Sequence, residues 1–322
     1  MSVGGAGTGA SASAGAGAGA VPAPGEADAP GADAARPLVA PPSPERLSLN
    51  TATVREQWNL RQMIEACARH GIRGISPWRD KLAELGAGEA ARLIRQHGLT
   101  VTGLCRGGMF PAADAAGRRA AIDDNRRAID DAATIGACCL VLVVGGLPDG
   151  SKDLAGARRM VTDGIAAVLE HARASRVPLA IEPLHPMYCA DRACVNTLEQ
   201  ALDICDAVDP PPAGGRPSGA IGVAVDAYHV WWDPRLPQAL ARARPERLLA
   251  YHICDWLVPT TDLLLDRGMM GDGVIDLPAL RMLVESAGYR GFHEVEILST
   301  RWWQRDPDEV LRIVRECHLH CS

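Results

Sequence analysis

The sequence predicts an α/β fold, a (β/α)8 barrel of parallel strands, on three observations. From Leu47 onward, short apolar runs alternate with longer amphipathic runs. Eight such pairs fill the rest of the 322-residue chain, about 34 residues each, the size of a strand–helix unit in such a barrel. The short runs end in polar or charged residues, and in this architecture the C-terminal ends of the strands build the active site.

Taken in order, strands are predicted over 47–50, 74–77, 101–104, 139–143, 178–182, 221–226, 249–254 and 293–297. The helical pattern occupies 60–70, 84–97, 118–136, 155–174, 197–208, 237–244, 277–287 and 306–318. Several of these runs stop at a glycine, as in His70-Gly71, His97-Gly98, Ile135-Gly136 and Ala287-Gly288, where the left-handed conformation closes a helix at least cost. A doubly wound sheet would need a glycine-rich phosphate turn after its first strand. That position reads Asn50-Thr51-Ala52-Thr53, and Gly145-Gly146 after the fourth strand lacks the rest of the fingerprint.

Residues 1–45 are nearly all Gly, Ala, Ser and Pro with a few acids. Such a stretch offers too little apolar surface to offset its chain entropy, so it reads as a disordered tail ahead of a barrel at 46–322. It lacks the basic start and apolar core of a secretory signal. Arg36 is its first basic residue, after Glu26, Asp28 and Asp33, unlike a transit peptide. The whole chain is 47% hydrophobic and 22% charged, with a net charge of −6. That acidic balance argues against a nucleic-acid partner. No apolar run approaches the roughly 20 residues of a membrane span. Ten cysteines without a CxxC pair read as reduced core residues of a cytoplasmic protein.

The strand ends carry the chemistry. The early ones present Asn50, Trp78-Arg79 and Cys105-Arg106; the last four present Glu182, Asp226, His252 and the pair Glu294 and Glu296. Three carboxylates on neighbouring inner strands would repel strongly without a cation among them. Three oxygen donors and an imidazole suit one divalent metal ion, with Mn2+, Mg2+ or Co2+ favoured and Zn2+ also accepting this mix. Glu294 and Glu296 share a strand face, so alternation does not choose between them.

The motifs Ile181-Glu182-Pro183-Leu184-His185-Pro186, Val225-Asp226-Ala227-Tyr228-His229, Tyr251-His252-Ile253-Cys254-Asp255, Gly271-Asp272-Gly273 and Gly288-Tyr289-Arg290-Gly291 leading to Glu294-Val295-Glu296 resemble the xylose isomerase-like TIM-barrel superfamily. This includes sugar phosphate isomerases and epimerases and is related to inosose dehydratases and family 2 AP endonucleases. The resemblance implies a metal held by Glu182, Asp226, His252 and Glu296, with Glu182 and Glu296 as the acid/base pair. It favours Glu296 over Glu294 by its step from the Gly-Tyr turn. The implied reaction is isomerisation or epimerisation of a small sugar, sugar phosphate or keto-polyol through a metal-stabilised enediolate. The alternative is an inosose-type dehydratase, a lyase that departs from the same deprotonation. DNA-repair chemistry would need further histidines after strands two and three, where this chain has Trp78-Arg79 and Cys105-Arg106.

Around that core, His185, His229, Arg267, Asn50, Arg106 and Trp232 are the expected substrate-binding residues, and Asp255 is an outer ligand or a second metal contact. Seven of the thirteen aromatic residues are Trp. Trp231, Trp232, Trp256, Trp302 and Trp303 follow strands six to eight and are placed either to line a sugar pocket or to cover the barrel top or a contact between copies in a homo-oligomer. The terminal Cys317-His318-Leu319-His320-Cys321 matches no zinc spacing.

Overall fold

A computed structural model describes residues 40–322. Eleven strands follow in chain order: β1 (Leu47–Asn50), β2 (Gly74–Ser76), β3 (Thr100–Val101), β4 (Leu104–Gly108), β5 (Leu140–Val143), β6 (Leu179–Ile181), β7 (Ile221–Asp226), β8 (Leu248–Ile253), β9 (Asp255–Trp256), β10 (Arg267–Gly268) and β11 (His293–Val295). Nine form one parallel sheet in the order β3-β2-β1-β11-β8-β7-β6-β5-β4, and β9 and β10 form an antiparallel pair. Helices return the chain between the strands, giving the TIM-barrel fold.

The sheet has nine segments rather than eight because the third stave is broken. Where one strand is expected over 101–104, Thr100 and Val101 pair with β2 and the chain then transfers to β5. The transfer occurs at Thr102-Gly103: Thr102 N still donates to Ile75 O (3.0 Å), and Leu104 N donates to Cys139 O (3.0 Å). A bridge between Trp78 and Cys105 closes the seam. Gly108, at φ 105°, passes so close to β5 that a Cβ there would lie 2.0 Å from Val143 O. The helix expected over 84–97 is also two, Arg79–Leu85 and Ala87–Gln96, turned at Gly86 with φ 84°.

Of the stretch expected as a tail, residues 40–45 are described and touch the barrel. Pro42 is buried, Glu45 pairs with Arg73 (2.9 Å), and Ala40 O accepts from Arg281 (2.5 Å). The rest of that expectation, residues 1–39, lies outside the described residues. No described helix is long and apolar enough to cross a membrane. All ten cysteines are unpaired, and six are buried.

Two cores hold the fold. The large one lies between sheet and helices; the small one, Cys105, Cys139, Val141, Ala180, Ala224 and Ala250, lines the barrel interior. These small side chains leave the axis free for a polar group that bulky residues would displace. Ser48, Thr102, Asn50 and Glu294 fill it: Glu294 accepts from Asn50 Nδ2 (2.7 Å) and Thr102 Oγ1 (2.8 Å), and the Thr102 and Ser48 hydroxyls pair at 2.8 Å. Just before β8, buried Arg247 donates to Asp209 Oδ2 (2.9 Å), Asp209 O (2.5 Å) and Ile221 O (2.8 Å), tying the end of the helix ahead of β7 (Leu198–Val208) to the sheet.

Candidate active site

Parallel register stacks the strand ends at one level. Asp226 pairs across with His252, and His252 with Glu294 on its other side. Glu182 lies one residue past β6 and Glu296 one past β11; their amides donate to Leu142 O (3.1 Å) and Ile253 O (3.2 Å), which extends the ladder and fixes both side chains. The ligand atoms of Glu182, Asp226, His252 and Glu296 all lie within 4.8 Å of one another, and all four residues are buried. No other described group of three or more His, Cys, Asp or Glu gathers this way, the terminal Cys317–Cys321 stretch included.

His252 Nδ1 is 2.8 Å from Glu182 Oε1, while its Nε2 points to Glu294 at 3.5 Å and has no hydrogen bond. Burial opposes charging of this imidazole, but the carboxylates of Glu294, Glu182 and Glu296 outweigh it and raise its pKa well above the ordinary value. Burial pushes the Asp226 carboxyl up; Arg267 pulls it back, and Glu182 and Glu296 add to the rise. Arg267 is the guanidinium of the cluster. Its Nη1 reaches Glu296 Oε2 (3.1 Å) and Asp226 Oδ2 (3.3 Å), its Nη2 reaches His229 Nε2 (3.2 Å), and it lies over the Tyr228 ring at 4.5 Å. Three carboxylates thus face one permanent cation, a deficit that a divalent ion would fill.

Above this floor is a pocket lined by Trp78, Arg106, Glu182, Tyr188, Arg192, His229, Leu264, Arg267 and Glu296, among others. Of the expected substrate-binding residues, His229, Arg267 and Arg106 reach it, and Asn50, His185 and Trp232 do not line it. Asn50 is wholly engaged inside the barrel: its Oδ1 accepts from Trp78 Nε1 (2.8 Å) and Ala52 N (2.9 Å), and its Nδ2 holds Glu294. His185 packs between Trp232 and Trp256, its Nδ1 accepting from Met187 N (3.3 Å). Trp232 Nε1 donates to His229 O (2.8 Å). His229 places Nδ1 at His185 N (3.2 Å) and Nε2 at Arg267, and a neutral ring accepts at one of the two; burial, then Arg267, holds its pKa well below the ordinary value.

Asp255 is a loop clamp: its two oxygens accept from the amides of Trp256, Gly271, Gly273 and Ile275 at 2.8–3.0 Å. The tryptophans after strands six to eight cover the barrel top, where Tyr228 stacks on Trp256 (4.7 Å) and Trp231 tilts against it (5.8 Å). The pocket's aromatic wall is instead Trp78 and Tyr188. The Tyr188 and Tyr228 hydroxyls both donate to Leu263 O, at 2.7 and 2.9 Å, pinning the segment that brings Leu264 over the pocket. Tyr188 and Arg192 lie in the loop after β6, where no periodicity marks them.

The profile of the xylose isomerase-like TIM barrel matches residues 64–317. The inosose isomerase of Bacillus velezensis is 25% identical over 286 residues, covering 84% of this chain and 95% of that protein. Among solved structures, protein SMc04130 from Sinorhizobium meliloti 1021 is 59% identical with a TM-score of 0.83, over 87% of this chain and 99% of that one. The IOLI protein, crystallised with a bound zinc atom, has the same fold at 22% identity and a TM-score of 0.69, over 84% of this chain and 96% of its own. A match running from the first barrel helix to the last, on a barrel whose late strands gather these donors, makes the chain a member of the xylose isomerase-like TIM-barrel family.

Proposed function

We propose that this chain is a divalent-metal-dependent isomerase or epimerase of a small sugar or keto-polyol, with Glu182 and Glu296 as its proton carriers. The carrying observation is a division within the cluster: Glu182 and Glu296 line the pocket, whereas Asp226 and His252 lie beneath it, wholly buried. In the sheet, β7 and β8 separate the strands that lead into the two glutamates, so two carboxylates meet the substrate from different staves. Glu182, Asp226, His252 and Glu296 would hold the metal, which the three-carboxylate, one-imidazole donor set fits. When bound, such an ion polarises the substrate carbonyl and acidifies the neighbouring C–H. One glutamate takes that proton and the other returns one, to the opposite face of the same carbon or to the next carbon. Arg267 fixes Glu296 through Oε2. The inosose isomerase relative supports an isomerase outcome, and the zinc in the IOLI protein supports a divalent ion.

The test is deuterium uptake from D2O into ketoses, inososes and their phosphates by metal-loaded protein, read by mass spectrometry. Uptake that is lost in Glu182→Gln and Glu296→Gln is expected. No uptake into any of these substrates, or full uptake in both variants, would overturn the reading. A product lighter by one water would assign the lyase chemistry instead.

A further inference from the structure

Four arginines lie at or near the pocket, and two of them are spoken for. Arg79 makes a two-pronged pair with Asp124 (2.7 and 3.0 Å), and Arg267 pairs with Asp226 and Glu296. Arg106, on β4, and Arg192, in the loop after β6, both line the pocket wall, and among the described residues neither side chain forms an ion pair or hydrogen bond with a protein group. Arg192 only stacks over Tyr188, 5.5 Å from the ring centre. Both are half-buried. Burial, and next the charge of Arg192, push the Arg106 pKa down. Half-buried guanidiniums normally find a carboxylate or phosphate for their fork of donors.

The charge balance of the site says what is missing. With a divalent ion among the three carboxylates and Arg267, those charges cancel; the Glu294 carboxylate lies below them, held by Asn50 and Thr102, and Arg106 and Arg192 leave two positive charges on the wall with no carboxylate partner. A neutral ketose or keto-polyol brings nothing to meet them. We infer that Arg106 and Arg192 form an anion subsite and that the substrate is an anionic ketose, its phosphate or carboxylate held by this pair while its carbonyl end reaches Glu182 and Glu296. The inference rests on the isomerase reading for the second half of that statement; the subsite itself does not.

The experiment is calorimetric binding to wild type, Arg106→Met and Arg192→Met, each with and without metal. The probes are inorganic phosphate, D-fructose, D-fructose 6-phosphate and D-fructuronate. Metal-free wild type is expected to bind phosphate, which separates the arginines from ligation by the metal. Metal-loaded wild type is expected to bind one of the anionic ketoses about ten-fold or more tightly than D-fructose, and each variant to lose that margin. The phosphate and carboxylate arms then show which anion the subsite takes. Metal content and melting temperature confirm that the variants are folded; Arg106→Lys and Arg192→Lys, which keep the charge, should recover part of the margin. An equal or tighter affinity for D-fructose, or an unchanged margin in both Met variants, would overturn the subsite. Deuterium uptake into neutral ketoses with no anion preference leaves the isomerase reading standing and removes the subsite. Arginine-dependent anion binding without uptake into any ketose does the reverse.

Discussion

Glu294 and Glu296 are two residues apart, and Gln at each should change a different property, metal binding at Glu296 and stability at Glu294. The Glu296 ligand atom lies within 4.8 Å of those of Glu182 and Asp226. At an effective dielectric of about 20, each such pair of ionised carboxylates repels by about 3.5 kcal/mol or more, and the 3.1 Å contact with Arg267 returns about 5 kcal/mol. Neutralising Glu296 removes about 7 kcal/mol of repulsion, about 5 of attraction to Arg267 and about 3.5 of attraction to a charged His252, leaving metal-free protein within about 2 kcal/mol of wild type. Its metal affinity should collapse, because an anionic donor becomes a neutral one. Glu294→Gln does the converse. Its two oxygens accept from Asn50 and Thr102; an amide has one acceptor for them, so the Thr102 hydroxyl has to turn and accept, and the charge-assisted bonds are lost at a cost of about 1–3 kcal/mol. At about 2–4 °C per kcal/mol, melting should fall by roughly 2–12 °C. All four ligands remain, and removing the carboxylate that faces His252 Nε2 should weaken metal binding by about 10–100-fold without changing its stoichiometry. Thermal melts of metal-free and metal-loaded protein, with metal content on the same samples, read both effects. A Glu296→Gln protein with wild-type metal affinity beside a metal-free Glu294→Gln protein would refute the assignment and place the metal one step lower in the barrel.

Metal affinity should fall as pH drops. The carboxylates raise the pKa of His252, and burial raises that of Asp226, so protons compete with the ion for both ligands. Titration calorimetry near pH 7 in two buffers of different ionisation heat should show proton release on metal binding, and an affinity independent of pH would contradict it. Arg247→Met strands Asp209 of its deepest partner and leaves two backbone carbonyls, Asp209 O and Ile221 O, without its donors. Urea unfolding should show a loss of about 3 kcal/mol with metal content unchanged, since Arg247 precedes β8 at the end opposite the cluster.

The predicted first and sixth strands, 47–50 and 221–226, have the bounds of β1 and β7, because each is an apolar run closed by a polar residue that turns the chain. The broken third stave was not legible. Val101-Thr102-Gly103-Leu104 reads as one run because side-chain pattern does not record which neighbour the backbone pairs with. Glu182, Asp226 and His252 were visible as polar residues ending apolar strands. The choice between Glu294 and Glu296 was not, since both point inward and differ by about 7 Å in depth along the barrel, a coordinate that alternation does not carry. Asn50 ends its strand as expected, and its partners come from β4, β11 and Trp78, two residues past β2. Arg192 and Tyr188 sit in an aperiodic loop, so only tertiary structure brings them to the wall.

The Leu263 carbonyl takes hydrogen bonds from Tyr188 and Tyr228 together, and these phenols belong to the connections after β6 and β7. One oxygen thus latches the loop to two staves at once. Releasing it forfeits two neutral hydrogen bonds, about 1–3 kcal/mol net, so the unlatched form is populated at between about one molecule in six and one in 160. Replacing either phenol by Phe removes one of the two bonds and enlarges that fraction by about 2–12-fold. The pair therefore helps hold Leu264 against the pocket that the two glutamates line.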